Sequence, residues 1–255
     1  MKQTFLLWEN SLEHNTKIHF YKPKNKKSDT AIIIFAGGAY RFRSAHEDVG
    51  YAEFFCENGY SVFVVDYRVA PNYFPLPLLD ARRAVRFVRA NAGNFGIHKN
   101  KIVAMGSSAG GHLTALLSTY IEKIDGECID RIDEENFLPN GQILCYPVIS
   151  SDEFISHIDS YKNLLGEGNY SEREAFSPDL LVNVSTPPAY IWHTAEDAGV
   201  NVINSYRYAE ALRRFSIPCE MHIFPQGAHG MGLAEHLPYV TRWKEWLLEW
   251  LNIYY

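Results

Sequence analysis

Three residues far apart in the chain have the side-chain types and the local settings for nucleophilic catalysis. Ser108 lies in Gly106-Ser107-Ser108-Ala109-Gly110, after the apolar run 101–105 and before a stretch of helical periodicity. That pattern predicts a strand, a tight turn bearing a serine, and a helix, which is the layout of a nucleophile elbow. Glycines at both ends suit it, because a serine held at a strained backbone position leaves no room for bulk two residues away. Ser107 fails the same register, since Met105 stands where its upstream glycine would be. The pentapeptide by itself is a weak signal, and the strand and helix on its two sides give it weight.

A serine hydroxyl is a poor nucleophile at neutral pH, so it needs a base, and the base needs a group that fixes its tautomer and stabilises the imidazolium. In the order serine, acid, histidine, the base follows the last strand. His229 meets that condition in Pro225-Gln226-Gly227-Ala228-His229-Gly230, just past the run that ends at Phe224. His112 is the rival, one helical turn after Ser108, but from there it should point into the helix packing face. The acid should follow the preceding strand, where Thr194-Ala195-Glu196-Asp197 offers two carboxylates. Asp197 is preferred, with Glu196 as the alternative. Backbone N–H groups must also face the oxyanion of an acyl-transfer step. Ala109 supplies one, and the small-residue loop Ala36-Gly37-Gly38-Ala39-Tyr40 supplies the others from Gly38 and Ala39, with Gly37 shaping the turn. Gly37, Tyr40, Phe42 and Trp192 lie near the expected pocket as substrate contacts, with core or rim packing as the competing role for the aromatics.

Positioning these groups requires a sheet whose strand ends converge. Short apolar runs of strand length recur at residues 31–35, 61–65, 101–105, 142–146, 189–193 and 219–224, the pattern of buried parallel strands. Helix-period segments at 47–58, 78–92, 109–121, 204–215 and 240–251 alternate with them. The alternation predicts an α/β fold, a mostly parallel central sheet with helices on both faces and right-handed crossovers. Residues 16–21 add an expected edge strand before a lysine-rich solvated turn. Residues 125–140 are acidic and polar and read as a surface excursion. Residues 147–188 form a long interruption, expected as a lid or binding loop, with a plain surface insertion as the alternative.

The 255 residues suit a single domain without linkers, repeats or low-complexity tracts. With 24 basic and 30 acidic residues the net charge is −6, with no basic stripe, which argues against nucleic-acid and anionic-membrane partners. A small-molecule ester partner fits, and a homodimer is compatible with the composition. The four cysteines, Cys56, Cys128, Cys145 and Cys219, are widely spaced and read as free thiols in a reducing cytoplasm. No run reaches the roughly 20 apolar residues of a membrane span, and the N-terminal apolar run is too short for a signal peptide. No pair of histidines stands at metal-ligand spacing with a carboxylate, so no metal and no cofactor is expected.

The chain resembles the α/β-hydrolase esterases, and more narrowly the acetyl-xylan-esterase and sugar-esterase-like branch related to the hormone-sensitive lipase group. The carriers are Gly37-Gly38-Ala39-Tyr40, Asp66-Tyr67-Arg68-Val69-Ala70-Pro71 with Phe74-Pro75 and Asp80, Gly106 to Gly111, Trp192 to Asp197, and Gly227-Ala228-His229-Gly230. The resemblance covers nearly the whole length and maps the triad onto Ser108, Asp197 and His229. It departs at the oxyanion loop, where Ala36 and Ala39 stand in place of Pro or His and of Gly and leave less room for the acyl group. Asp66, Tyr67, Arg68 and Asp80 look like fold-stabilising members of the pattern. The resemblance implies cofactor-independent hydrolysis of short acyl esters, with acetyl groups on a sugar or small oligosaccharide as the expected substrate. Two other readings compete: an amide hydrolase of the peptidase or arylformamidase kind, and a non-catalytic small-molecule sensor on the same scaffold.

Overall fold

The apolar runs assemble into one sheet in the computed structural model, which describes residues 2–8, 16–125 and 130–255. Its strands are β1 (Lys2–Leu6), β2 (Lys17–Tyr21), β3 (Ala31–Phe35), β4 (Ser61–Val65), β5 (Ile102–Ser107), β6 (Gly141–Cys145), β7 (Ala189–Thr194) and β8 (Cys219–Phe224), in the spatial order β1-β2-β4-β3-β5-β6-β7-β8. From β4 to β8 every neighbouring pair is parallel. β3 to β7 are buried along their whole length, which is why they read as unbroken apolar runs. The edge strand β8 is only half-buried.

The helices are α1 (Val49–Glu57), α2 (Leu76–Ala90), α3 (Ala92–Phe95), α4 (Ser108–Thr119), α5 (Ile158–Leu165), α6 (Pro178–Leu181), α7 (Ile203–Arg214) and α8 (Trp243–Tyr254). α1 and α8 cover one face of the sheet with Tyr51, Phe55, Trp243, Leu247 and Trp250. On the other face α2 and α4 pack through Leu78, Val85, Val88, Leu113 and Leu116, and α7 joins through Tyr208 and Leu212. The doubly covered sheet expected from the alternation is therefore present.

One expectation is corrected, and two segments hold more structure than the reading of the sequence assigned to them. Residues 17–21 form β2 but not the edge expected for residues 16–21: β2 pairs with β4 on one side and with β1, antiparallel, on the other, and β1 has four of its five residues exposed and so lacks the apolar signal that marks the other strands. Residues 130–140 run over the surface as expected and are anchored there: Arg83 forks onto Asp130 at 2.7 and 2.6 Å and onto Asp133 at 2.9 Å, and Arg89 donates to the carbonyls of Asn136 and Leu138. Residues 147–188 are not a bare loop. They fold into α5, 3₁₀ turns over Glu167–Phe176, and α6, and they bury Tyr161, Leu164, Leu165 and Phe176 against the main core.

Asp80 ties the antiparallel edge to α2. It has no exposed surface and accepts hydrogen bonds from Arg68 N, Nε and Nη2 at 2.9, 2.8 and 2.8 Å and from Trp8 Nε1 at 2.7 Å. Removing one member of a buried charge pair leaves the other unpaired in low dielectric, at a cost of about 3–5 kcal/mol. Asp80→Ala should therefore lower the free energy of unfolding in urea by about that amount, and a loss below about 1 kcal/mol would show the pair to behave as a surface bridge.

Candidate active site

Parallel register sets the site. Phe35 lies opposite Gly106, so the loop after β3 emerges beside the turn after β5, while β6, β7 and β8 end on the same edge. Loops at the carboxyl edge of an open parallel sheet are where α/β folds place ligands. At the first residue of α4, Ser108 has φ +53°, and its turn closes only because the residues two places before and two places after it, Gly106 and Gly110, are glycines. A Cβ on Gly106 would fall 2.0 Å from the Gly110 carbonyl oxygen, and one on Gly110 2.0 Å from that of Phe35.

The structure brings the three expected side chains together. Ser108 Oγ lies 2.8 Å from His229 Nε2, and His229 Nδ1 lies 2.7 Å from Asp197 Oδ2. A carboxylate only accepts, so the ring proton sits on Nδ1, and Nε2 is left to accept from the serine. The second oxygen, Oδ1, accepts from Gly199 N and Val200 N, both at 2.8 Å. Burial raises the pKa of Asp197, but hydrogen bonds from His193, His229 and Val200 N outweigh it and hold the carboxyl below the usual carboxylate range. Glu196 is exposed and has no bond to His229, so Asp197 is the carboxylate that meets the imidazole.

The oxyanion loop is shaped by left-handed backbone at Gly38 (φ +125°), Ala39 (φ +53°) and Tyr40 (φ +56°). Among the described residues no acceptor is paired with Gly38 N or Ala39 N. Ala109 N lies in the first turn of α4, where helix amides lack an intrahelical partner. Tyr67 Oη donates to Ala36 O at 2.6 Å, and Asn163 Nδ2 on α5 donates to Ala39 O at 2.9 Å, so the loop is held from both sides.

Two expected substrate contacts are corrected. Tyr40 and Trp192 have no exposed surface. Tyr40 Oη bonds His112 Nδ1 at 2.8 Å, and Trp192 stacks on Trp243 with ring centroids 4.9 Å apart. The apolar pattern of β7 marked a strand without revealing which face each residue occupies. Phe42, 57% exposed, remains on the surface of the loop. His112 makes no hydrogen bond to Ser108: its Nε2 donates to Phe176 O at 3.0 Å, which joins α4 to the 3₁₀ turns over Glu167–Phe176.

Several residues around the site were not singled out in the sequence. His193 Nε2 faces Asp197 Oδ2 at 3.2 Å and Val200 O at 3.1 Å, both acceptors, so it carries the proton, while Nδ1 accepts from Ser205 Oγ at 2.8 Å. A histidine ending a buried strand four residues before the acid was the available signal. His157 caps α5 by accepting from Ser160 N through Nδ1 at 3.3 Å. Burial lowers its pKa, the charge of His229 adds to that, and Asp159 and Asp197 oppose it, so it lies within electrostatic reach of the site. Glu47, which reads as an ordinary acidic residue at a helix start, turns inward from the 3₁₀ turn Ala45–Glu47.

Known proteins resemble the chain over most of its length. A family model described as BD-FAE matches residues 18–212. The chain is 38% identical over 208 residues to endo-1,4-beta-xylanase B of Butyrivibrio fibrisolvens, covering 80% of this chain and 32% of that protein. It is 33% identical over 238 residues to an acetylxylan esterase of Xylanibacter ruminicola, covering 91% of this chain and 47% of that one. It thus spans a third to a half of the length of these curated relatives. The solved structure of an acetyl ester-xyloside bifunctional hydrolase from Caldicellulosiruptor lactoaceticus superposes with a TM-score of 0.90 at 37% identity, covering 98% of this chain and 95% of that one.

The imidazole of His112 gives a pH signature. Burial pulls its pKa down to about 4, against the hydrogen bond to Phe176 O. The unfolded chain takes up this proton near its ordinary value of about 6.5. Between those values the unfolded state binds more protons, so the stabilisation is complete above about pH 6.5 and is lost as pH falls toward about 4, by roughly 2–4 kcal/mol. The urea midpoint should fall from pH 7.5 to 4.5 in the wild type and fall less in His112→Gln, where His157 and the carboxylates with lowered pKa, Asp197 and Asp130 among them, still contribute. Equal drops in the two proteins would contradict this.

Proposed function

The chain belongs to the BD-FAE family of α/β hydrolases, and we propose that it is a serine carboxylesterase that removes short acyl groups, acetyl foremost, from sugars or short oligosaccharides. The observation that carries the reading is the continuous hydrogen-bonded line from Asp197 through His229 to Ser108. Ser108 Oγ attacks the ester carbonyl as its proton passes to His229 Nε2. The carbonyl oxygen, now an anion, is received by the N–H groups of Gly38, Ala39 and Ala109. His229 returns the proton to the sugar oxygen, which departs as the alcohol and leaves acyl-Ser108. Water then gives a proton to His229, attacks the acyl carbon and releases the carboxylic acid with Ser108 restored. Asp197 stays ionised throughout and stabilises the imidazolium in each half-reaction.

Support for a small acyl group comes from Ala39, whose methyl narrows the loop, and from the acetyl esters named for the xylan esterase and the xyloside hydrolase. An exposed aromatic on the oxyanion loop, Phe42, offers a face for a sugar ring. A cytoplasmic setting rests on Cys56, Cys145 and Cys219, which are free thiols, whereas Cys128 lies outside the described residues. Among the described residues no helix is long and apolar enough to cross a membrane.

With p-nitrophenyl acetate, Ser108→Ala should lower kcat by about 10⁶-fold, and Asp197→Asn by about 10⁴-fold because the imidazole then adopts the wrong tautomer. Near-normal turnover in Ser108→Ala would reject the serine mechanism. On a p-nitrophenyl ester series the acetyl ester should exceed the octanoyl ester in kcat/KM by at least about tenfold, the scale of a few methylenes excluded from a pocket. Acetate should be released from acetylated xylo-oligosaccharides, and a preference for octanoyl esters would refute the short-acyl assignment.

A further inference from the structure

Beneath the oxyanion loop lies a carboxylate that the mechanism does not use. Glu47 is 2% exposed, yet among the described residues the only basic side chain within 4.0 Å is the exposed imidazole of His46. Burying a carboxylate without a close cation is costly unless its oxygens receive hydrogen bonds. Both do: Oε2 accepts from Gly37 N at 2.8 Å, and Oε1 accepts from Tyr146 Oη at 2.6 Å.

The second contact opens a longer chain. Tyr146 Oη also lies 2.9 Å from Gly232 N and 3.2 Å from Tyr51 Oη, which in turn lies 2.9 Å from Ser107 Oγ. Since the carboxylate only accepts, Tyr146 donates its single proton to Glu47, and its own oxygen is left to accept from Gly232 N–H and Tyr51 O–H. Burial first, and the charge of Glu47 with it, raises the pKa of both phenols, so they remain protonated donors. Tyr146 holds this position with φ +37°, an unfavourable angle for an aromatic residue, and its ring stands edge-on to His229 with centroids 5.1 Å apart.

One carboxylate therefore terminates hydrogen bonds from three parts of the site. Gly37 immediately precedes the oxyanion donors, Ser107 immediately precedes the nucleophile, and Gly232 lies three residues after the base. We infer that Glu47 is a positioning residue of the hydrolytic reaction, fixing the oxyanion loop to the base loop through Tyr146. This inference rests on the esterase reading above. An oxyanion donor lost outright costs 10²- to 10³-fold in kcat, and donors that are displaced rather than lost should cost less, about 10- to 100-fold.

The near-isosteric Glu47→Gln tests it, because an amide presents one acceptor and cannot receive both Gly37 N–H and Tyr146 O–H. On p-nitrophenyl acetate, kcat should fall about 10- to 100-fold with KM within about twofold, since an interaction realised only in the transition state lowers kcat and kcat/KM equally. The variant's thermal unfolding and its count of serines labelled by an organophosphonate give the folded fraction. Tyr146→Phe should show the same split, and the double variant should be no slower than the worse single variant, as expected for groups acting as one unit. A fully folded Glu47→Gln with kcat within about twofold of wild type, a loss confined to KM, or losses that multiply in the double variant would overturn the inference. Should Glu47→Gln not fold, Tyr146→Phe decides alone, with unchanged kcat as the refuting result. An inactive wild type would refute the esterase reading and this inference together, whereas an active wild type matched by Glu47→Gln would refute this inference only.

Discussion

The site depends on a serine held in left-handed backbone at the point where a buried strand becomes a helix. Ser108 at φ +53° lifts its hydroxyl out of the sheet edge, and that geometry survives only because strand, turn and helix backbones approach more closely than any side chain allows. The close approach also places the loop after β3 beside the hydroxyl, since Gly110 packs on the carbonyls of Phe35 and Ala36. Nucleophile and oxyanion donors are thus positioned by one packing contact. A substitution that opened it would displace both.

This explains why part of the site was legible in the sequence and part was not. The elbow, the base and the acid each follow a run of buried strand, so chain order and glycine spacing locate Ser108, Asp197 and His229, and the small residues 36–39 locate the loop. Burial on one particular face carries no such marker. Tyr40 and Trp192 sit next to site residues in the chain, but backbone geometry turns both side chains into the core. Glu47 and His193 escaped for the opposite reason: polar residues at element ends ordinarily face water, and only the fold shows both of them turned inward onto other loops. The helical structure of residues 158–176 was hidden too, because α5 and the 3₁₀ turns after it are short and their buried residues, Tyr161, Leu164 and Phe176, are thinly spread among polar ones.

Buried polar groups divide the molecule into two regimes. Along α2 they are full charges in pairs: Arg83 with Asp130 and Asp133, Arg68 with Asp80. Such pairs fix segments to the sheet and are expensive to break, which suits parts that need never move. Around Ser108 they are mostly neutral donors and acceptors: Tyr40, Tyr51, Tyr67, Tyr146 and His112, whose ionisation burial opposes in every case. These groups add no charge of their own where, in the proposed reaction, an ester carbonyl develops one.

Two buried carboxylates stand out at this edge of the sheet, and their hydrogen bonding differs in a way that matches their surroundings. Asp197 accepts from two backbone amides and two imidazoles, an arrangement that holds it ionised and gains strength when His229 becomes a cation. In the proposed reaction that gain is present in the transition state and absent at rest, which is the condition for lowering a barrier rather than merely binding. Glu47 accepts from one backbone amide and one phenol, neither of which changes charge during turnover, so its interaction energy stays nearly constant along the reaction. A constant interaction contributes to rate only through geometry, by keeping donors where the oxyanion will form before the substrate arrives. The same edge of the sheet thus holds one carboxylate that responds to the chemistry and one that prepares for it.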